Sequence, residues 1–168
     1  MNRRQSLRTL LAASLFSLGG LRIAAAAGAD RPRLVKSKAE WAKLLPGPAY
    51  AVLFEEDTEP PGSSPLNHEK RNGTYLCAAC YQPLFDSATK YDSGTGWPSF
   101  WQPLIGAIGT QRDFKLILPR TEYHCARCGG HQGHVFDDGP QPTGKRYCNN
   151  GLALYFVARG DTPPPLRT

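Results

Sequence analysis

Five cysteines are the residues of this sequence best suited to chemistry, and their spacing divides them into two classes. Four form two Cys-x-x-Cys pairs, which are Cys77 with Cys80 and Cys125 with Cys128. Each pair can present two thiolates to one tetrahedral ion, and four thiolates close the coordination sphere as in a structural zinc site. We therefore predict that the paired cysteines bind one zinc ion. The fifth, Cys148, has no partner at metal spacing.

Alternatives to a zinc site remain open for the paired cysteines. Disulfides are possible because an exported protein can form them, but a Cys-x-x-Cys disulfide closes too small a loop to add much stability. A redox pair of thioredoxin type is disfavoured because neither pair opens a helix within a βαβ pattern. His124 could replace a sulfur ligand, although a position on a strand surface is the simpler interpretation.

The surroundings of Cys148 favour a reactive role. If its segment is an extended strand, Arg146, Cys148 and Asn150 lie on one face. A nearby guanidinium favours the thiolate, which is the nucleophilic form of cysteine. His131 and His134 could supply a proton. We predict that Cys148 is a nucleophile, while a small buried residue of a strand stays open as the alternative on these local features.

Residues 1–29 have the pattern of a signal peptide. Arg3 and Arg4 are adjacent in a basic start, Leu10 to Leu21 is an uncharged apolar run, and small residues follow at Ala27-Gly28-Ala29. The apolar run is too short for a permanent membrane anchor. The pattern predicts export to the periplasm, and the paired arginines resemble the signal of the twin-arginine route for folded proteins.

The charge of the remaining chain argues against nucleic acid as a partner. The whole sequence carries a formal charge of +6, and the predicted leader holds four arginines and no acidic residue, so cleavage leaves +2. A domain with nearly balanced charge has little attraction for phosphate backbones. We divide the rest into a linker (30–36), a single domain (37–158) and a loose tail (159–168).

The pattern of secondary structure favours a mainly β domain with one short N-terminal helix. Ser37-Lys38-Ala39-Glu40 has the spacing of a capping box, and Pro46-Gly47-Pro48 should end the helix that follows. Tyr50 to Phe54 is an apolar run of strand length. Further β-type runs are Thr74 to Leu76, Phe114 to Leu118, Thr121 to His124 and Leu152 to Val157. Turn-forming residues separate these runs, which indicates antiparallel sheet with long loops.

From about Ser37 to Val157 the chain resembles the methionine sulfoxide reductases of type B. The motifs are Ser-x-x-Glu-Trp (37–41), Thr-Glu-Pro-Pro (58–61), both Cys-x-x-Cys pairs, Ser-Gly-Thr-Gly-Trp-Pro-Ser-Phe (93–100), Arg-Thr-Glu (120–122), His-x-Gly-His-Val-Phe-x-Asp-Gly-Pro (131–140) and Arg-Tyr-Cys-x-Asn (146–150). Their order along the chain makes the resemblance specific. It implies two antiparallel sheets of tent-like or barrel-like form, zinc on the paired cysteines, and thiol-dependent reduction of methionine (R)-sulfoxide, mainly in oxidised proteins.

The resemblance also implies a role for each site residue. Cys148 matches the nucleophile, which would pass through a sulfenic acid. The other matches are His131 and His134 as proton donors, Asp138 as the carboxylate that orients a histidine, Arg146 and Asn150 as groups that flank the thiol, and Trp97 as the aromatic wall for the substrate methyl group. An aromatic ring suits a methyl group on sulfur.

Three positions depart from the family pattern. Gln132 and Asn149 stand where apolar residues are expected, and Thr95 stands where many relatives carry a second, resolving cysteine. We therefore expect an external thiol, such as a thioredoxin-like protein, to recycle Cys148. A zinc-ribbon binding module would not explain the lone thiol and its histidines. A general peroxide-reducing thiol protein would not require Trp97.

Overall fold

The computed structural model describes residues 32–115 and 118–168. The predicted signal peptide at residues 1–29 lies outside these residues, as does the beginning of the predicted linker. None of the helices in the two described ranges has the length and apolar character needed to cross a membrane. The sheets, the cysteines and every predicted site residue lie within the described ranges.

The described chain is mainly β, as predicted. Two α-helices come first, α1 (Lys38–Leu44) and α2 (Gly47–Glu55). The strands are β1 (Gly73–Cys77), β2 (Pro83–Asp86), β3 (Lys90–Tyr91), β4 (Ser99–Phe100), β5 (Ile108–Asp113), β6 (Arg120–Cys125), β7 (His131–Phe136), β8 (Arg146–Asn149) and β9 (Leu154–Ala158). They form a three-stranded sheet in the order β2-β1-β9 and a six-stranded sheet in the order β3-β4-β8-β7-β6-β5. All the paired strands are antiparallel, so the prediction of two antiparallel sheets is confirmed.

The N-terminal region contains two helices rather than the single one expected. Helix α1 has the predicted capping box, in which the Ser37 side chain accepts from the Glu40 amide and the Glu40 carboxylate accepts from the Ser37 amide. The Tyr50 to Phe54 run is not a strand but part of α2. Pro48 stands in the first turn of this helix, where a missing N–H costs nothing. Its buried residues include Ala49, Val52 and Leu53, a spacing that places them on one helical face.

Two predicted strands are shifted in the structure. The run Phe114 to Leu118 is not a strand where it is described, since β5 ends at Asp113 and both Phe114 and Leu118 are exposed. Leu116 and Ile117 lie outside the described residues. The Asp113 carboxylate accepts from the Lys115 amide at 2.8 Å, a local turn that competes with strand pairing. The run from Leu152 begins as a one-turn 3-10 helix, and β9 starts at Leu154.

The predicted tail is not a loose end. Arg167 places its guanidinium against Tyr81, with Nη2 at 2.7 Å from the phenolic oxygen. Arg127 donates to the Arg167 carbonyl at 2.7 Å, and the Arg167 amide donates to the Cys80 carbonyl at 3.3 Å. On the other side, Leu34 of the predicted linker donates to the Arg127 carbonyl at 2.7 Å. Both chain segments are therefore tied to the two cysteine turns.

Aromatic side chains join the two sheets. Phe85 of the small sheet stacks on Phe100 of the large one at a centroid distance of 4.2 Å, and Tyr75 meets Phe100 edge-on at 4.9 Å. Tyr123 and Tyr147 contact each other at 5.4 Å and extend this cluster under β6 and β8. Aromatic pairs of this kind add about 0.5–1.5 kcal/mol each beyond the area they bury. Tyr147 belongs to β8, so this aromatic core also packs against the strand that carries Cys148.

Gly133 sets the distance between β7 and β8. It pairs with Asn149, and in the same register His134 lies opposite Cys148. A Cβ atom at Gly133 would lie 1.9 Å from the Cys148 carbonyl oxygen, which no side chain could occupy. Glycine is therefore required for the close approach that brings His134 beside the Cys148 strand.

Candidate active site

Cys148 lies near the end of β8, between two neighbouring strands. Antiparallel pairing places Ser99 of β4 on one side of it and His134 of β7 on the other. The thiol borders a cleft of about 130 Å³, which is also lined by Trp97, His134 and Asn150 among the predicted site residues. Phe136 and Arg120 line the cleft as well, and sequence analysis did not select them.

Three other predicted residues do not line the cleft. His131 is buried, with 4 % of its surface exposed, and its ring centre lies 5.5 Å from that of His134. Arg146 and Asp138 form an ion pair, in which the guanidinium Nε and Nη2 each lie 2.8 Å from a carboxylate oxygen. The expectation that Asp138 orients a histidine is therefore wrong. The physical reason is that this carboxylate uses both oxygens on the guanidinium, which is also packed 4.2 Å from the Phe136 ring centre.

Burial raises the pKa of the Cys148 thiol. The Thr95 hydroxyl and the Arg146 guanidinium act in the opposite direction and favour the thiolate, but burial outweighs them. The resting group is therefore mainly the thiol at neutral pH. Arg146 lowers the pKa of Cys148, as expected, but its effect is too small to keep the thiol ionised at neutral pH.

Each histidine of the motif is paired with a carboxylate that sequence analysis missed. His134 Nε2 lies 2.7 Å from Asp113 Oδ2, and His131 Nδ1 lies 2.8 Å from Glu122 Oε1. Glu122 belongs to the Arg-Thr-Glu motif and could have been selected from it. Asp113 belongs to none of the sequence motifs. It lies beside His134 only because β5, β6 and β7 pair in the folded sheet.

The electrostatics of these pairs differ from those of free side chains. Burial lowers the pKa of His134, and the Asp113 carboxylate partly offsets this by stabilising the imidazolium. Burial raises the pKa of Glu122, but hydrogen bonds to His124 and His131 outweigh it and bring the pKa to about 2. His134 is thus held mainly neutral at neutral pH, and its Nδ1 remains available to face a substrate, because Nε2 is engaged by Asp113.

Glu59 organises the wall of the cleft and was also missed. Its carbonyl accepts from the Trp97 indole N–H at 3.1 Å, and its carboxylate accepts from the Gly151 and Leu152 amides at 2.6 and 2.8 Å. Asn150 accepts from the Glu59 amide at 3.1 Å and donates to the Gln132 carbonyl at 3.2 Å. Asn150 therefore acts as a brace between segments, and the Thr-Glu-Pro-Pro motif is the signal that could have identified Glu59.

The four paired cysteines come together as predicted. Their sulfur atoms lie within 4.8 Å of one another, at the ends of β1 and β6. The Cys77–Cys128 and Cys80–Cys125 sulfur distances are 3.7 and 3.6 Å, too long for disulfide bonds of about 2.05 Å. A tetrahedral zinc ion with Zn–S bonds of about 2.3 Å requires sulfur separations of about 3.8 Å. Four thiols at this spacing therefore fit such an ion. His124 pairs with Glu122 and does not belong to the cluster.

Gln132 and Asn149, the two polar residues at expected apolar positions, connect this cluster to β8. Gln132 is fully buried, and 1 % of the Asn149 surface is exposed. Gln132 Nε2 donates to the Cys77 sulfur at 3.5 Å, and its Oε1 accepts from Asn149 Nδ2 at 3.5 Å. Buried amides require such partners, because an unpaired amide in the core is costly. The departure from the pattern therefore consists of two mutually dependent side chains.

Replacing Asp113 by asparagine should lower the pKa of His134 further. The charge that stabilises the imidazolium is removed, the positive Arg120 loses its 2.7 Å partner beside the ring, and burial stays the same. We expect a decrease of about one unit or more. NMR titration of the assigned imidazole signals measures it, with Asp137→Asn as an exposed control. An unchanged or increased His134 pKa in Asp113→Asn would contradict this account of the pair.

Comparison with known proteins identifies the family of this chain. Residues 45–158 match the model of the SelR domain. The chain is 48 % identical over 126 residues to the peptide methionine sulfoxide reductase MsrB of Agrobacterium fabrum, a match that covers 74 % of this chain and 93 % of that protein. The MsrB proteins of Bradyrhizobium diazoefficiens and Methanosarcina barkeri are 50 % and 49 % identical, over 73 % and 72 % of this chain and 88 % and 86 % of theirs. The chain therefore belongs to the SelR-domain family of MsrB-type peptide methionine sulfoxide reductases.

Proposed function

We propose that this protein reduces the (R)-sulfoxide of methionine residues in oxidised proteins and peptides, with Cys148 as its nucleophile. One observation carries the proposal: the Cys148 thiol, the Trp97 ring and the His134 imidazole border the same small cleft. A sulfoxide needs a nucleophile at sulfur, a proton source at oxygen and an apolar wall for the methyl group. The relatives named above support the same reaction.

The reaction we propose transfers one oxygen atom. The Cys148 sulfur attacks the sulfoxide sulfur as a thiolate, and the sulfoxide oxygen takes up a proton. The oxygen ends on Cys148 as a sulfenic acid, and methionine leaves. The Cys148 sulfur is thereby oxidised by two electrons and the sulfoxide sulfur is reduced by two, so a thiol and a sulfoxide become a sulfenic acid and a thioether.

His134 is the group that we propose to carry the proton, since it lines the cleft while His131 is buried. Its neutral Nδ1 takes the proton of the Cys148 thiol as the thiolate forms, and the imidazolium, stabilised by Asp113, then gives that proton to the sulfoxide oxygen. His131 then acts indirectly, by holding the carboxylate of Glu122, the residue opposite His134 in the β6–β7 pairing. Arg146 stabilises the thiolate as it forms, and Asp138 fixes the guanidinium for this purpose. Each of these groups is held by a partner before substrate arrives, which is the condition for effective electrostatic stabilisation.

An external thiol completes the cycle in this proposal. The sulfenic acid condenses with a donor thiol to give a mixed disulfide and water, and a second thiol on the donor releases Cys148. Within the chain, the other four cysteines are gathered in the cluster, and Thr95 lies beside Cys148 with its hydroxyl oxygen 4.0 Å from the sulfur. A thioredoxin-like protein has the necessary dithiol chemistry.

Zinc is the ion that we propose for the cysteine cluster. Burial and neighbouring sulfurs raise the pKa of Cys77, so the cluster needs a cation before all its thiols can ionise. Four sulfur ligands leave no open coordination position, which suits a structural ion. Bound zinc would supply cross-linking of the β1 and β6 turns, and it would keep these thiols out of redox chemistry.

Repair of exported proteins is the biological role that we propose. It is supported by the leader pattern of residues 1–29, with its adjacent arginines. Export through the twin-arginine route would deliver a folded domain whose cluster is already loaded with metal. Reduction in the periplasm would then require a donor thiol that is kept reduced in an oxidising compartment.

Turnover of resolved methionine sulfoxides tests the reaction. With dithiothreitol, the purified protein should reduce a blocked methionine (R)-sulfoxide and leave the (S) form. Without a reductant, about one equivalent should be consumed, and dimedone should label Cys148. Cys148→Ser should abolish turnover while thermal unfolding stays close to that of the unmodified protein. Full activity of Cys148→Ser would overturn the assignment, and an internal disulfide to a cluster cysteine would overturn the external thiol.

Metal analysis tests the zinc site. We expect about one zinc per purified chain, and we expect Cys125→Ser to lose both metal and stability, because metal-binding free energy contributes to folding. Cys148→Ser serves as the matched control, since it removes a thiol outside the cluster. A stable Cys125→Ser protein without metal would exclude a structural zinc.

Export is tested by replacing Arg3 and Arg4 together with lysine. The substitution keeps the charge of the leader but removes the paired arginines, so the periplasmic yield should decrease strongly. Replacing Arg22 by lysine is the control, because it lies outside the basic start. An unaffected periplasmic yield of the double variant would argue against the twin-arginine route.

A further inference from the structure

A row of three hydroxyl groups leads away from the Cys148 sulfur. Thr95 Oγ1 lies 4.0 Å from the sulfur and 2.8 Å from Ser93 Oγ. Ser93 Oγ lies 2.7 Å from Ser99 Oγ, and Ser99 in turn donates to the Trp97 carbonyl at 3.1 Å. The row thus begins at the proposed nucleophile and ends on the backbone of the residue that forms the cleft wall.

The fold holds both ends of this row. Ser99 is fully buried in β4, directly opposite Cys148 in the strand pairing. Thr95 and Ser93 lie in the loop between β3 and β4, and Trp97 in the same loop is anchored by its indole N–H to Glu59. The hydroxyl of Thr95 is therefore directed by Ser93, which is itself held by the buried Ser99.

A hydroxyl both donates and accepts, so the row has two hydrogen-bonded arrangements. In the first, Thr95 donates to Ser93, Ser93 to Ser99, and Ser99 to the Trp97 carbonyl. The Thr95 oxygen then accepts from the thiol S–H. In the second, Ser99 donates to Ser93, Ser93 to Thr95, and Thr95 to the sulfur. This second arrangement places a donor on the thiolate, and only hydroxyl rotation separates it from the first.

We infer that Thr95 is a positioning residue for Cys148, and that Ser93 and Ser99 align its hydroxyl so that it accepts from the thiol and donates to the thiolate. The inference rests on the proposed role of Cys148 as nucleophile. A distance of 4.0 Å is the outer limit for a hydrogen bond to sulfur. Hydrogen bonds to ionised groups are shorter, so the contact tightens when the sulfur becomes charged.

The other charged and titratable groups near Cys148 do not replace the hydrogen bond from Thr95. Arg146 on the same strand favours the thiolate, but Asp138, which binds its guanidinium, acts against it. His134 on β7 and Arg120 on β6 line the cleft. The buried phenols Tyr91 on β3 and Tyr123 on β6 have raised pKa values and remain uncharged at neutral pH. Neither phenol is hydrogen-bonded to the Cys148 sulfur, whereas the Thr95 hydroxyl lies within hydrogen-bond distance of it.

The ionisation of Cys148 tests the inference without turnover. Alkylation by iodoacetamide is followed at a series of pH values, and mass spectrometry quantifies the peptide that contains Cys148. Thr95→Val keeps the shape but removes the hydroxyl. Its thiol pKa should increase by about one unit, which makes alkylation at pH 7 roughly tenfold slower. Thr95→Ser keeps the hydroxyl and should stay within about twofold of the unmodified protein.

Two further variants separate the row from general effects. Ser93→Ala should also raise the thiol pKa, but by less than Thr95→Val, because the Thr95 hydroxyl then loses the hydrogen bond that orients it. Thr110→Val, on the exposed face of β5, should leave the pKa unchanged. An unchanged pKa in Thr95→Val, or equal increases in Thr95→Ser and Thr95→Val, would overturn the inference. The pKa of Cys148 can be measured whether or not Cys148 is the nucleophile, so failure of this inference is distinguishable from failure of the proposed function.

Discussion

The close pairing of β7 with β8 is the constraint on which the candidate site depends. Gly133 permits it, because a Cβ atom there would lie 1.9 Å from the Cys148 carbonyl oxygen. The resulting register places His134 opposite Cys148 and aligns Phe136 with Arg146. Asn150 continues the contact beyond β8 by donating to the Gln132 carbonyl. The His134 imidazole and the Cys148 thiol, on consecutive strands of the chain, therefore border one cleft through backbone geometry.

Around this pairing, the polar groups of the site are held in place by partners. Arg146 is fixed by Asp138, His134 by Asp113 and His131 by Glu122. Groups that are fixed in this way need little reorganisation during a reaction. Burial acts against ionisation of Cys148, so the site combines a mainly protonated thiol with groups that stabilise the thiolate when it forms. This balance would suit the role proposed for Cys148, a nucleophile that reacts with bound substrate rather than with any oxidant.

The cysteine cluster and the cleft are parts of one structure. Gln132 contacts both the Cys77 sulfur and Asn149, the residue after Cys148. A metal ion bound by the four cysteines would hold the β1 and β6 turns, and through two buried amides it would support the strand that carries Cys148. The two polar residues that break the family pattern depend on each other, since an apolar replacement of either one would leave the other amide without that partner in the core.

The sequence by itself determined the elements whose signals are local. The capping box at Ser37, the cysteine spacing, the mainly β class and the segment of Cys148 all follow from neighbouring residues, and the structure agrees with them. Only the tertiary structure decided which groups meet. Asp113 and His134 are 21 residues apart, and Glu59 and Asn150 are 91 apart. No local periodicity encodes such contacts, because strand order and register place them. The same reason explains why the role given to Asp138 was wrong: the family resemblance implied a contact with a histidine, while the tertiary structure directs its carboxylate to Arg146 of β8.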